Sequence, residues 1–157
     1  VLAGGAGNQK EYEEIKELAA HCRYPVRFAG CVPQMELAKL YNDGDIFVLP
    51  SMYEGLPLTV IESLACGDRV VMTRLDGVAD WLEDMIPDAD IRYVDLPKMK
   101  GADEAVEEEL PAFEKRLAQA LEDAIWAVKQ ENRGLVKNRV CDVSGISWQK
   151  IAQEVIR

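Results

Sequence analysis

The chain has 157 residues, of which 48% are hydrophobic, and this suffices for a globular domain with its own core. Its formal net charge of -10 would repel a phosphate backbone, so we expect no nucleic-acid partner. The sequence contains no run of 18 apolar residues and no basic, apolar leader, so we expect no transmembrane segment and a cytoplasmic protein.

Two strand–helix units are predicted before residue 42. Residues 1–4 and 26–30 are short apolar runs that predict strands. Apolar residues at helical spacing follow each run, first over residues 12–22 and then over residues 35–41. Strands that alternate with helices indicate an α/β fold with a parallel sheet.

The next segment predicts a buried strand and a well-bounded helix. Residues 45–49 (D-I-F-V-L) are nearly all apolar, as expected of a parallel strand that is buried on both faces. A third helix is predicted from residue 57 or 58 to residue 65, because proline is favoured in the first turn of a helix and glycine, here Gly67, just past its end. The remaining α/β elements are a strand at 69–73, a helix at 76–84 and a strand at 91–94.

The sequence becomes acidic and helical after residue 101. Residues 102–133 predict a helix with an apolar stripe, and residues 147–157 a closing amphipathic helix. We interpret the acidic run at 103–109 as a solvated surface without a function. No repeat or linker interrupts the chain, so we expect one domain over residues 1–157, with C-terminal helices over about 111–157.

Cysteine and histidine usage disfavours a metal site. The four cysteines have no C-x-x-C spacing and lie among apolar neighbours, so we expect reduced core residues at Cys22, Cys31, Cys66 and Cys141. With His21 as the only histidine, there are too few ligands for zinc, and we expect no metal ion and no cofactor.

Two loops follow predicted strands at the edge where open parallel sheets bind ligands. The first, residues 4–7 (G-G-A-G), lacks the third glycine of a dinucleotide fingerprint, and the next strand ends in Ala29, Gly30 and Cys31 rather than in a carboxylate. A nicotinamide site is therefore disfavoured, and the loop is interpreted as a tight turn.

The second loop, residues 50–57, places carboxylates around one helix N-terminus. Glu54 lies in the loop, and Glu62 about a turn and a half into the predicted helix. Free N–H groups there favour a pyrophosphate, Gly55 lets a ligand approach the backbone, and carboxylates accept hydrogen bonds from vicinal sugar hydroxyls. Two glutamates eight apart are a weak signal, but a carboxylate without a ligand role is costly in the apolar segment around Glu62. The pattern suits a ligand with a sugar on each side of a diphosphate.

The segment 54–62, E-G-L-P-L-T-V-I-E, resembles the E-x7-E motif of the retaining group 1 glycosyltransferases, which have the two-domain GT-B fold. The similarity extends over most of residues 1–95 and returns at residues 146–148 (I-S-W). It implies a Rossmann-like, three-layer domain with helices on both faces of a parallel sheet. This domain would bind a UDP- or GDP-hexose donor, and the complete protein would transfer the hexose to a hydroxyl of a glycan, lipid or other acceptor without a metal ion.

The resemblance also assigns roles to individual residues. Glu54 would contact the donor sugar near the reacting centre as the catalytic residue, and Glu62 would bind the ribose hydroxyls. The sugar and the diphosphate would be held at Gly55, Leu56, Pro57 and Leu58. The residues near the base would be Ser51, Gly30, Cys31 and Val32.

The chain departs from the family pattern in three places. Asp68 and Arg69 replace a small residue and proline, and residues 97–114 are outside the shared pattern. The strand that begins the family's donor domain, with its diphosphate-binding arginine and lysine, and the acceptor-binding domain have no counterpart here. We therefore expect an inactive fragment that binds donor weakly, with membrane contact only through the missing domain. Its sheet would either close the gap with a non-native neighbouring strand or recruit a strand from another copy, because unpaired strand edges tend to pair.

Two other functions stay open at this stage. A Rossmann-like module could keep the fold as a noncatalytic binding or scaffold domain. A related two-domain fold performs nucleotide-sugar epimerisation, although the E-x7-E segment matches the transferases better. Replacing Glu62 with alanine in a full-length version separates the transferase from the scaffold, because a transferase should lose activity severely and a scaffold should lose only stability.

Overall fold

The computed structural model describes residues 1–131 and 139–146, and the chain divides into two compact units, Val1–Leu40 and Tyr41–Arg157. The helix predicted at 147–157 lies outside the described residues. No helix in the described ranges is long and apolar enough to cross a membrane.

The first unit contains two short parallel strands and a helix. Strand β1 (Leu2–Ala3) pairs with β2 (Phe28–Gly30), and helix α1 (Gln9–Ala20) connects them. The Asn8 side chain caps α1 by accepting a hydrogen bond from the Lys10 amide over 3.0 Å. Helix α2 (Gln34–Asp43) begins in this unit and ends in the second.

The second unit is a three-stranded parallel sheet with helices on both faces. In chain order its elements are β3 (Ile46–Leu49), α3 (Leu58–Ala65), β4 (Arg69–Thr73), α4 (Val78–Met85), β5 (Ile91–Val94) and α5 (Leu110–Gln130). The strand order is β3-β4-β5, and all five residues of β4 are buried because it lies in the centre. This confirms the predicted α/β class with parallel strands, which the described residues divide between two sheets.

Alternate side chains of β4 enter two separate cores. Val70 and Met72 join the cluster that includes Leu64 of α3 and Leu82 of α4. Val71 points to the other face, where a smaller cluster includes residues of β5 and α5. Three layers therefore result from the period-two pattern of one central strand.

Helix α3 ends in a Schellman motif at Gly67. The Gly67 amide donates to the Leu64 carbonyl over 3.0 Å, and the Asp68 amide donates to the Ser63 carbonyl over 3.1 Å. Gly67 has a φ of 90°, a left-handed conformation that favours glycine. The predicted helix end is thus confirmed, and its geometry buries Asp68 at the start of β4.

Two sequence predictions are wrong. Helix α5 begins at Leu110 rather than at 102, because Met99 and Ala105 form an antiparallel bridge and a short 3-10 turn, Glu107–Glu109, precedes the helix. The cysteines are not all core residues: Cys141 is buried and Cys66 half-buried, whereas Cys22 and Cys31 are exposed. Apolar neighbours in sequence did not decide burial, because Cys22 follows the end of α1 and Cys31 the end of β2.

Candidate functional site

The loop at residues 50–57 joins the carboxyl end of β3 to the N-terminus of α3. Two of its side chains anchor it, since Met52 packs against the α5 face of the sheet and Leu56 against the α3 and α4 face. Pro57 is buried at the N-cap position of the helix. The loop between these anchors is therefore held at both ends.

The N-terminus of α3 satisfies part of its own hydrogen-bonding capacity. The Leu58 amide donates to the Leu56 carbonyl over 2.9 Å, and the Val60 and Ile61 amides donate to the Pro57 carbonyl over 3.0 and 3.3 Å. No side chain caps the helix. Pro57 has no N–H group, and the amides of Gly55, Leu56 and Thr59 form none of these hydrogen bonds, so they are candidate donors to a ligand.

A buried threonine of β4 fixes the start of the loop. The Thr73 hydroxyl is in contact with the Leu49 carbonyl at 3.5 Å and donates to the Ser51 carbonyl. Thr73 is 1% exposed, so this contact is shielded from water. The sequence prediction missed Thr73, and the available signal was a hydroxyl at the end of an otherwise apolar strand.

Gly55 occupies an exposed position with space around it. A Cβ atom at Gly55 would meet nothing within 4 Å, and its φ is not in the left-handed region. Neither packing within the described residues nor backbone conformation therefore requires glycine here. A side chain would instead extend into the space above the loop.

The two glutamates are both half-buried and lie on either side of this N-terminus in sequence. Glu54 precedes α3 by four residues, and Glu62 is its fifth residue, about 6 Å along the axis from Leu58. Burial and, next, the negative charge of Glu62 raise the pKa of Tyr41 to about 12, so the Glu62 carboxylate lies near the phenol. Tyr41 is buried and packs edge-on against Phe47 at 5.6 Å.

Residues 50–57 contain no lysine or arginine. At the same edge of the sheet, Arg74 follows β4 but pairs with Asp80 at 3.3 Å and with Glu83 at 3.2 Å. Its guanidinium also lies over the Tyr93 ring, 5.1 Å from the centroid. The loop therefore has little positive charge of its own to offer a diphosphate.

The other three predicted site residues belong to the first unit. Gly30 ends β2 with a φ of 68° and accepts a hydrogen bond from the Gly4 amide over 2.9 Å. Cys31 is exposed, and its sulfur would lie 2.9 Å from a Cβ at Gly5, so a side chain at Gly5 would require the cysteine to shift. Val32 is half-buried. The role of these residues near a base stays a prediction.

Comparison with known protein families matches residues 1–123 to the family described as "Glycosyl transferases group 1". An O-antigen chain mannosyltransferase B of Escherichia coli is 28% identical over 131 residues, which are 83% of this chain and 29% of that protein. An uncharacterized glycosyltransferase of Methanocaldococcus jannaschii is 31% identical over 80 residues, 51% of this chain and 20% of that protein. The N,N'-diacetylbacillosaminyl-diphospho-undecaprenol alpha-1,3-N-acetylgalactosaminyltransferase of Campylobacter jejuni is 40% identical over 80 residues, with the same two shares. The chain thus spans less than a third of the length of these relatives.

Proposed function

Because this chain belongs to the group 1 glycosyltransferases, we propose that it is the donor-binding part of a GT-B enzyme and binds a UDP- or GDP-hexose. The donor would lie against the loop at 50–57, at the carboxyl edge of the β3-β4-β5 sheet. The complete protein would transfer the hexose to a hydroxyl acceptor with retention of configuration.

The observation that carries this proposal is the open backbone at Gly55, in the loop between a parallel strand and the N-terminus of α3. A Cβ atom there would meet nothing within 4 Å, so a ligand can approach the backbone closely. The amides of Gly55 and Leu56 precede the N-terminus of α3, whose dipole favours an anion. A sugar diphosphate supplies both the close approach and the negative charge.

The glutamates receive different tasks under this proposal. Glu54, in the loop, would contact the transferred sugar near its anomeric carbon, where positive charge develops as the diphosphate leaves. Glu62, inside α3, would accept hydrogen bonds from the ribose hydroxyls. Leu58 and Pro57 would shape the site, because the Leu58 amide already donates to Leu56 and Pro57 has no N–H group. Ser51 would lie near the base.

The acceptor is proposed only as a class. Relatives in Escherichia coli and Campylobacter jejuni carry names that refer to an O-antigen chain and to a diphospho-undecaprenol sugar, respectively. We propose a glycan or lipid hydroxyl, reached from the cytoplasmic side and held mostly by a second domain outside these 157 residues. The 157-residue chain alone would bind donor and transfer nothing.

Calorimetric titration of the chain with UDP-glucose and with GDP-mannose tests the donor site. We expect measurable binding of one of them, weaker than micromolar because the loop carries no cation. The Gly55→Val variant should lose this binding, since its side chain would fill the space the donor needs. Equal binding by wild type and variant, or no binding by either, would contradict the site. Sub-micromolar affinity would contradict the expectation that a loop without a cation binds the donor weakly.

A further inference from the structure

A cavity opens at the edge of the sheet opposite to the loop at 50–57. It lies where β4 and β5 begin, and its volume is about 540 Å³. Acidic and apolar side chains line it together, among them Asp68, Asp88, Asp90, Ile86 and Val140. This size is within the usual range of small-molecule sites.

Asp68 is the unusual member of this lining. It is 6% exposed, and its backbone amide is used in the Schellman motif of α3. Among the described residues, the hydrogen-bonded ion pairs at this cavity involve Asp90 and Arg139 rather than the Asp68 carboxyl. Asp90, on the same wall, is the opposite case, because it pairs with Arg69 at 2.8 Å, Arg92 at 3.0 Å and Arg139 at 2.8 Å.

The surroundings of Asp68 are negative rather than compensating. Asp45, which precedes β3, lies near enough that burial and its charge together raise the pKa of Asp68 to about 7. Cys66 and Tyr41 face Asp68 from α3 and α2 and add no positive charge. Across the cavity, the charged or titratable side chains are Asp88, Asp90, Arg139, Cys141 and Asp142. A buried carboxylate without a donor is costly, and a cation in the cavity would remove that cost.

The shape of the lining decides which cation fits. In the described part of the chain, no three acidic, cysteine or histidine side chains are close enough together to hold a metal ion. The cavity also presents Ile86 and Val140, which would contact methylene groups. A compact ammonium group on an aliphatic stem satisfies both features, since it donates up to three hydrogen bonds and carries its own apolar surface.

We propose that this cavity binds a protonated aliphatic amine, with the ammonium group hydrogen-bonded to Asp68 and the methylene groups against Ile86 and Val140. The site is independent of the proposed sugar-nucleotide site, because the two lie at opposite edges of the same sheet. It also gives a role to Asp68, which together with Arg69 replaces the small residue and proline of the family pattern.

Titration with 1,4-diaminobutane tests the proposal, with 1,4-butanediol as the uncharged probe of the same length. At about pH 8 we expect saturable binding of the diamine alone, and at least a tenfold loss of affinity in Asp68→Asn. Asp103→Asn is the matched control, because it removes the same charge from an exposed position and should leave the affinity unchanged. Absence of binding, or equal effects of the two substitutions, would overturn the proposal.

A pH series on the unmodified protein keeps the test valid if Asp68→Asn fails to fold. Protonation of Asp68 removes the acceptor, so the affinity for 1,4-diaminobutane should fall at least fivefold from about pH 8 to about pH 6. Binding to exposed carboxylates would not change over this range, because they ionise near pH 4. Affinity that stays constant from pH 8 to pH 6 would therefore also overturn the proposal.

Discussion

Arg69 donates from Nη1 to Oδ2 of Asp90 over 2.8 Å, although the arginine side chain is only 2% exposed. Its other terminal nitrogen pairs with Glu131, which also pairs with Arg139. The Arg69 amide donates to the Asp45 carbonyl over 3.1 Å, a bond that proline cannot make. The departure from the family pattern at this position thus has a structural consequence: it connects the starts of β4 and β5 with the end of α5.

Replacing this buried arginine should destabilise the chain. Arg69→Leu leaves Asp90 with Arg92 and Arg139, so we expect a loss of about 1–3 kcal/mol rather than the full effect of an orphaned buried charge. Arg74→Leu is the control, because its ion pairs are exposed and should contribute less than about 1 kcal/mol. Urea unfolding of both variants measures the difference. Equal losses would show that the ion pairs of the buried Arg69 contribute no more to stability than the exposed ion pairs of Arg74.

The raised pKa of Asp68 predicts an unusual dependence of the free energy of unfolding on pH. The folded state holds the Asp68 proton up to about pH 7, whereas the unfolded state releases it near pH 4. Between these values the folded state binds more protons, so this residue makes the free energy of unfolding decrease as pH rises from about 4 to about 7, and the decrease then stops. At about pH 8, Asp68→Asn should be more stable than wild type by about 1–3 kcal/mol, since it removes a buried unpaired charge.

Chemical denaturation of both proteins at several pH values, without amines, measures this effect. The difference between Asp68→Asn and wild type should increase with pH up to about 7. Other carboxylates titrate in both proteins and cancel in the comparison. A difference that is independent of pH would show that Asp68 ionises normally in the folded protein.

Substitution of Gly55 distinguishes a role in ligand binding from a role in folding. Gly55→Ala should leave the melting temperature within a few degrees of wild type, because the added Cβ meets nothing within 4 Å. The same change should weaken sugar-nucleotide binding several-fold, since the backbone can no longer be approached as closely. Gly101→Ala is the control, because Gly101 is also exposed and open and lies outside the loop. If both variants bind donor like wild type, Gly55 has no ligand role.

Local signals in the sequence were sufficient to predict the strands of the second unit and helix α3. Strands β4 and β5 have the predicted limits, and α3 ends where Gly67 takes its left-handed conformation. The signals failed where distant residues decide the structure. The bridge between Met99 and Ala105 displaced the predicted start of α5, and the partners of Arg69 come from positions up to 62 residues away.

At the candidate site, too, local sequence signals predicted some features, whereas contacts between distant residues could not be predicted. The sequence order of Glu54, Gly55 and Glu62 was sufficient to select the loop, because all three flank one helix N-terminus. It did not reveal the contact between Thr73 and Ser51, which joins β4 to the loop at 50–57, or the proximity of Glu62 to Tyr41. Such contacts depend on the register of the sheet and on the packing of α2, which no short motif specifies.

The position of Glu62 beside Tyr41 leads to the sharpest test of function. In a version of the protein extended to the length of its relatives, Glu62→Gln should lower kcat/KM by about 10- to 100-fold, because a charged acceptor for the ribose hydroxyls is lost. Tyr41→Phe removes the phenol and leaves the carboxylate. Since the Tyr41 hydroxyl has no well-formed hydrogen bond among the described residues, we expect stability and activity close to those of wild type.

This pair of variants distinguishes an enzyme from a scaffold. If Glu62 serves only to pack beside Tyr41, both substitutions should change stability to a similar extent and neither should change turnover beyond that effect. If Glu62 binds donor, Glu62→Gln alone should reduce turnover, and thermal unfolding should show that the fold is intact. A Glu62→Gln variant that is as stable as wild type and less active is therefore the outcome that assigns Glu62 to the donor.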